Sequence, residues 1–314
     1  MNTPLTIGMD FGGTSVKLGV CQGEKLVDVS EPIPTDHYPG VDALVEAMVR
    51  EIDKLREAHK VVAIGVGVPG FVDFEAGFVY NLTNVPGWHD VPLKHILHQR
   101  TDLPVVVEND ANAMAFAEWK CGAAKGFTNV VCITLGTGVG GALILNGAPY
   151  RGSSFGAGEI GQMSIDTNGR AGNYGNLGAL EKYIGNQQIE DLARKRYANV
   201  GESARPDDCT PRHIAEAAAN GDDIARQIWG EIGGWLGCAL TSITWILNPD
   251  AIVVGGGVAK AGNLLFDPLK RQMQCQLNPV FWQRLQVLHA KFGNEAGMIG
   301  AAALAVEAIA QEDE

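Results

Sequence analysis

Short aliphatic runs that stop at glycine or at a polar turn, and longer stretches with apolar residues at helical spacing, follow one another along the chain. Leu5-Thr6-Ile7-Gly8-Met9-Asp10 reads as a strand. Gly12-Gly13-Thr14-Ser15 turns it, and Val16-Lys17-Leu18-Gly19-Val20 returns antiparallel. After a segment broken by Pro32, Pro34, Pro39 and Gly40, Asp42 to Ala58 puts Leu44, Val45, Met48, Ile52 and Leu55 on one helical face and charged residues on the other. Val61 to Gly70 reads as a buried strand, Pro92 to Gln99 as a short helix, and Val105-Val106-Val107 as a strand running at once into an Ala-rich helix, Ala111 to Lys120. Beyond Gly122, Asn129 to Leu135 predicts a strand, Gly136 to Gly141 a turn, and Ala142 to Leu145 the return. Leu180 to Tyr197 and Asp222 to Leu247 read as helices. In the second, Ile224, Ile228, Ile232 and Leu236 form a row that Trp229, Trp235 and Trp245 widen, so it is expected to be buried. The strand from Asp250 ends in Gly255-Gly256-Gly257, and Ala296 to Ala310 closes the pattern as a helix of small residues able to pack closely.

Two strand, glycine turn, strand hairpins more than a hundred residues apart suggest duplicated halves, and 314 residues suit two domains. With 46% apolar and 19% charged residues the chain is globular, and a net charge of −12 without a basic stripe argues against a nucleic-acid surface. No apolar run has the length to span a bilayer and the N-terminus lacks the regions of a signal peptide, so a cytoplasmic protein is expected. The six cysteines are scattered without metal-type spacing and imply neither disulfides nor a zinc cluster.

Candidate chemistry centres on Asp110. It ends a buried strand, where open α/β sheets place ligands, and sits between the two glycine turns; it is either a catalytic base or the cap of the helix starting at Ala111. The turn after Asp10 joins strand to strand, unlike a Rossmann or Walker loop, which opens a helix. Glycine there would allow positive φ and let backbone N–H groups face a phosphate, or it is an ordinary tight hairpin. Gly255-Gly256-Gly257 could let an adenine or ribose lie against backbone, or make a tight strand-to-helix connection. Asn84 to Trp88 reads as an exposed loop, with Trp88 as its possible packing anchor. The glycine-rich stretch Gly152 to Gly178, with Glu159, Gln162, Asn168, Asn173 and Asn176, lines something or is mobile.

The ordered set Asp10-Phe11-Gly12-Gly13-Thr14, Glu108-Asn109-Asp110, Leu135-Gly136-Thr137-Gly138-Val139-Gly140, Glu159-Ile160-Gly161 and Gly255-Gly256-Gly257 resembles the ROK family of bacterial sugar kinases and sugar-responsive repressors, over nearly the whole chain. The resemblance implies the α/β actin-like ATPase fold (a duplicated ribonuclease H-like unit): residues 1–120 with 297–314 in one domain, 121–296 in the other, around a cleft. It also implies phosphoryl transfer from ATP with Mg²⁺. Asp110 would take the hydroxyl proton, Asp10 would organise Mg²⁺ through water, Gly12, Gly13 and Thr14 would meet the γ-phosphate, and Thr137 with Gly138 the β-phosphate. Lys17 is a further phosphate ligand or a solvated strand lysine. The sugar would be gripped by Asn109, Asp110, Glu159 and Glu181, with Asn84 and Gln162 as further contacts, or Glu181 is an exposed first-turn acid. A homodimer is a family expectation.

The chain departs from the family at its zinc ligands. The histidine position is Gln162 and the cysteine positions are Gly172, Tyr174 and Ala179, none of which offers a thiolate or imidazole, so no structural zinc is expected. Packing around Tyr174 and amide hydrogen bonds from Gln162 and the asparagines would hold the loop instead. The leading expectation is an ATP-dependent hexokinase of the glucokinase type, acting on the 6-hydroxyl of glucose. Alternatives are a kinase for fructose, mannose, allose or an N-acetylhexosamine, a polyphosphate-using relative, or a sugar-sensing protein without catalysis. A repressor is disfavoured, because the first phosphate turn begins at Asp10 and leaves no room ahead of it for a DNA-binding helix-turn-helix.

Overall fold

A computed structural model describes residues 3–82, 85–199 and 208–312. The chain divides into two units, the first made of Met1–Gly126, Leu143–Ala157 and Lys291–Glu314, the second of Phe127–Ala142 and Gly158–Ala290. The segment Leu143–Ala157, which the sequence reading puts in the second domain, packs with the first unit because its Arg151 reaches Glu108 and Phe74 there.

In the first unit β1 (Leu5–Phe11) and β2 (Ser15–Gln22) form a hairpin with Asp10 opposite Lys17, and β3 (Lys25–Val29) extends it. β4 (Val61–Val68) lies parallel to β1 and β5 (Val105–Asn109) parallel to β4, giving the order β3-β2-β1-β4-β5. The parallel strands β1, β4 and β5 therefore end on one edge, with Asp10 paired to Gly67 and Gly67 to Glu108. α1 (Val41–Ala58) turns Leu44, Val45, Met48, Ile52 and Leu55 into a core with Ile7, Met9, Leu18 and Val66, each such burial contributing about 2 kcal/mol. α2 (Leu93–Thr101) ends at Asp102 in the left-handed region (φ 57°), and α3 (Asp110–Lys120) follows β5 without a linker.

The helix Ala296–Glu312 packs against β1, β4 and α3. A methyl group at Gly8 or Gly65 would collide with the carbonyl of Met298 or Ala301, and one at Gly300 with the carbonyl of Ala113. Only backbone-to-backbone approach fits this helix in place, which is why it is built of Gly and Ala. The loop before Trp88 is exposed at Pro86 and Gly87, while the Trp88 indole is 1% exposed and meets Phe11 edge-on at 4.8 Å, as a packing anchor for it.

In the second unit β6 (Val130–Leu135) lies between β7 (Val139–Leu145) and β8 (Ala251–Gly255), and β9 (Gln286–His289) follows β8. β6, β8 and β9 are parallel. The turn expected over Gly136 to Gly141 ends at Gly138, and Gly140 and Gly141 are strand residues. The helix expected over Leu180 to Tyr197 breaks into α4 (Glu181–Ile184) and α5 (Asn186–Ala198). It breaks at Gly185 because the Asn186 N–H is spent on the Gly136 carbonyl (2.9 Å) rather than on the helix. α6 (Asp223–Leu247) starts on an Asp222 cap and packs Gly233 and Gly237 against α7 (Asn263–Gln276). Trp229 is buried as the row predicts, but Trp245 is 50% exposed and stacks obliquely on Phe281 instead. No helix of the described residues is long and apolar enough to cross a membrane.

Candidate active site

At the edge of the first unit's sheet, Asp110 is the first residue of α3, and the cap is its neighbour. Asn109 Oδ1 accepts the N–H of Asn112 (3.1 Å) while its Nδ2 donates to the Gly70 carbonyl (3.0 Å). The cap that the sequence pattern allows at Asp110 is supplied by Asn109, and Asp110 lies in the first turn, accepting the N–H of Ala111 at 2.8 Å. Asp10 is the penultimate residue of β1, on the same edge. Burial raises its pKa above the usual carboxylate range, and the Lys17 charge across the hairpin offsets part of that rise. Lys17 is a strand residue on β2 and partly exposed.

The turn after Asp10 is held by Gly12 N–H to Ser15 carbonyl (2.9 Å) and by Thr35, whose hydroxyl and N–H donate to the carbonyls of Gly13 and Thr14 at 3.0 Å each. Neither Gly12 nor Gly13 adopts the left-handed φ that the sequence suggested. What glycine supplies here is the absence of Cβ beside N–H groups. Asn84, a sequence-based candidate for sugar contact, lies outside the described residues.

In the second unit, the turn of Gly136, Thr137 and Gly138 is closed by Gly136 N–H to Gly138 carbonyl (3.0 Å). Glu181 lies against it: one carboxylate oxygen accepts the N–H of Val139 (3.0 Å), the other the amide of Asn173 (3.0 Å), and a side chain on Gly138 would strike Glu181. Glu159 lies near enough to feel that charge. Burial and then Glu181 raise the Glu159 pKa. Gly256 alone of the three strand-end glycines is left-handed, at φ 87°, and a Cβ there would meet the backbone of Leu135, so β6 and β8 end in close backbone contact.

The asparagine amides hold the loop from Gln162 to Glu181 as expected, through Asn173 to Glu181 and Asn176 to the Gln162 carbonyl, but Tyr174 does not. Tyr174 is 72% exposed and packs nothing. Tyr183 takes its place: its hydroxyl accepts the N–H of Arg170 (3.1 Å), its ring lies under the Arg170 guanidinium (4.8 Å), and its edge meets Trp235 (5.2 Å). Gln162 serves through its main-chain carbonyl, which accepts the Asn176 amide at 2.8 Å, and not through its side chain. The side-chain oxygens of Gln162 and Asn176 are buried without a hydrogen-bond partner. Among the described residues no group of three or more His, Cys, Asp and Glu stands where it could hold a metal ion.

Two residues beside Asp110 escaped the sequence reading. In the sequence Glu108 stands out only as part of a motif, yet its side chain is 3% exposed and ion-paired to Arg151 at 2.7 Å. A signal existed: Arg151 is the lone basic residue between Gly147 and Gly169.

The ROK family profile matches residues 6–308. A glucokinase of Streptomyces coelicolor is 36% identical over 313 residues, covering 96% of this chain and 98% of that protein. Among solved structures, a ROK family glucokinase from Streptomyces griseus in complex with glucose and AMPPNP matches with a TM-score of 0.82 at 35% identity, over 96% of this chain and 99% of that one. A ROK hexokinase from Thermus thermophilus matches with a TM-score of 0.81 at 31% identity, over 98% and 99%. The architecture is the α/β actin-like ATPase fold.

Proposed function

We propose, for a chain that belongs to the ROK family, an ATP-dependent hexokinase that phosphorylates the 6-hydroxyl of glucose. The observation that carries this reading is the placement of Asp110 at the carboxyl edge of the sheet, with Asn109 and not Asp110 spent on capping α3. Asp110 accepts the proton of the sugar hydroxyl as that oxygen bonds to the γ-phosphorus. The bond to the β,γ-bridging oxygen breaks and ADP leaves. Gly12, Gly13, Thr14, Thr137 and Gly138 offer N–H and hydroxyl donors to the phosphates, and Gly255, Gly256 and Gly257 a bare backbone to the adenosine. Asn109, Glu159 and Glu181 accept and bridge sugar hydroxyls. Asn84 and Gln162 are proposed as further contacts.

Mg²⁺ is proposed at Asp10: a carboxylate raised by burial regains its charge beside a cation, and Mg²⁺ would neutralise charge developing on the phosphates. No structural zinc is proposed, since Gln162, Gly172, Tyr174 and Ala179 supply no ligand of the required kind. The protein is proposed to work in the cytoplasm, where ATP is supplied, on a free sugar, as a homodimer and without nucleic-acid or membrane partners. Sedimentation at twice the mass of one chain checks the dimer. Gln162 in place of the family histidine favours one alternative, a shifted preference among hexoses and N-acetylhexosamines.

The test is ATP-dependent phosphorylation across a panel of these sugars, with Mg²⁺ present and zinc chelated. Glucose should turn over fastest, and Asp110→Asn should lower kcat about 10²- to 10⁴-fold. An Asp110→Asn enzyme as fast as the parent removes the proposed base.

A further inference from the structure

We propose that Arg151 and Glu108 form a positioning pair that fixes the Asn109-Asp110 turn for reaction with the sugar. This rests on the reading of Asp110 as the base and adds to it two residues that touch neither sugar nor nucleotide in that reading.

Glu108 is the penultimate residue of β5, and its side chain is 3% exposed. Its carboxylate reaches both the junction of β5 and α3 and Arg151. Oε1 accepts the N–H of Asn109 (2.9 Å) and the side-chain amide of Asn112 (3.0 Å), and Oε2 accepts Arg151 Nε at 2.7 Å. Asn112 in turn donates its N–H to Asn109 Oδ1. The three side chains close a ring of hydrogen bonds around the junction of β5 and α3.

Arg151 is fixed as firmly. Its side chain is 18% exposed, and its guanidinium carbon lies 3.6 Å from the centre of the Phe74 ring. Its carbonyl accepts the N–H of Ala157 (3.0 Å), closing the loop of residues 151–157. A planar, always charged guanidinium stacked on an aromatic face has little freedom left to lose, so it holds the carboxylate in one orientation.

A buried ion pair is a poor device for stability alone, since desolvating two charges offsets most of their attraction and an apolar pair would pack as well. It is a good device for orientation. With Oε2 held by Arg151, Oε1 is left to the Asn109 and Asn112 donors, and the turn cannot rotate without losing both. An error of about 1 Å at a reacting group can slow catalysis about a hundredfold, so this constraint has a kinetic consequence.

The experiment compares Arg151→Ala, Arg151→Lys and the double variant Arg151→Met with Glu108→Gln. The double variant removes both charges and so avoids stranding a buried carboxylate. Steady-state kinetics and amide hydrogen exchange are measured on each. In Arg151→Ala, kcat/KM for glucose should fall about ten- to a hundredfold with KM for ATP unchanged. The Asn109 and Asn112 amides should exchange faster while those of β1 and β4 keep their rates. Arg151→Lys should recover part of the loss, and the double variant should fold but stay slow.

A double variant with parental kinetics would make the pair structural only and overturn the proposal, as would accelerated exchange throughout the first unit's sheet. If the parent phosphorylates no sugar, the reading of Asp110 fails separately. The exchange rates of Asn109 and Asn112 then decide: unchanged rates overturn the positioning role and a local acceleration upholds it.

Discussion

Asn109, Asp110 and Glu159 show how the same polar chemistry divides into different tasks according to what surrounds each group. The Asn109 amide is oriented by backbone, at Asn112 and at Gly70. Glu159 has a different burden, for its pKa is raised above the ordinary 4.5 by burial and then by Glu181. A carboxyl raised in the folded state favours its protonated form there. The stabilisation is complete below the ordinary value and is lost as the pH climbs through the raised one. Glu159→Gln without sugar should therefore unfold at a higher temperature than the parent near neutral pH, and the gap should close below the ordinary carboxyl pKa. A gap that persists in acid would place the cause in packing. In the proposed function Glu159 also grips the sugar, so Glu159→Gln should raise KM for glucose. The motif around Asn109 and Asp110 was legible because a strand end followed by Asx residues and an Ala-rich run is a local signal. Tyr183 and Arg151 were not, because the ring under Arg170 and the cation beside Glu108 are chosen by folds of the chain that bring positions 13 and 43 residues apart together.

At the scale of elements, glycine marks where backbones must touch. Gly65 on β4 faces the Ala301 carbonyl and Gly300 faces that of Ala113, so the helix Ala296–Glu312 seats on the sheet and on α3 with no side chain between. Neither glycine is left-handed, so the constraint is space and not φ. Gly65→Ala and Gly300→Ala should each lower the unfolding free energy by about 1–3 kcal/mol, the usual cost of overpacking. Chemical denaturation reads this directly, and parental midpoints in both would show that the helix can move away freely. The small-residue character of that helix was legible in composition. The break at Gly185 was not, since the periodicity from Leu180 to Tyr197 continues through it and only the hydrogen bond from Asn186 to Gly136 interrupts the helix. Trp245 fails the pattern for a similar reason: its exposed ring lies on Phe281, outside the row that packs α6.

For the whole molecule the recurring problem is that the chain leaves the first unit after Gly126 and returns at Leu143 and again at Lys291. Buried carboxylates on the first unit fasten these passages. Glu108 holds the segment of Arg151. Glu118, 3% exposed near the end of α3, accepts the N–H of Ala123 on the departing chain at 2.9 Å. Its other oxygen accepts those of Lys291 and Phe292 on the returning chain at 2.8 and 2.9 Å. One side chain thus satisfies three backbone donors from segments more than 160 residues apart. Alanine at 118 would strand all three. The loss should be about 3 kcal/mol or more, because each buried N–H left unpaired costs about 1–3 kcal/mol. Glutamine keeps one accepting oxygen for Lys291 and Phe292 but turns an amide donor toward Ala123, so Glu118→Gln should lose less than Glu118→Ala. Glu118 lies two helical turns from Asp110 and touches no proposed ligand. Both variants should therefore keep a parental KM for glucose at temperatures where they are folded. Urea unfolding ranks the two losses and kinetics at low temperature checks the second claim: equal stability of parent and Glu118→Ala would show that the joint carries no load.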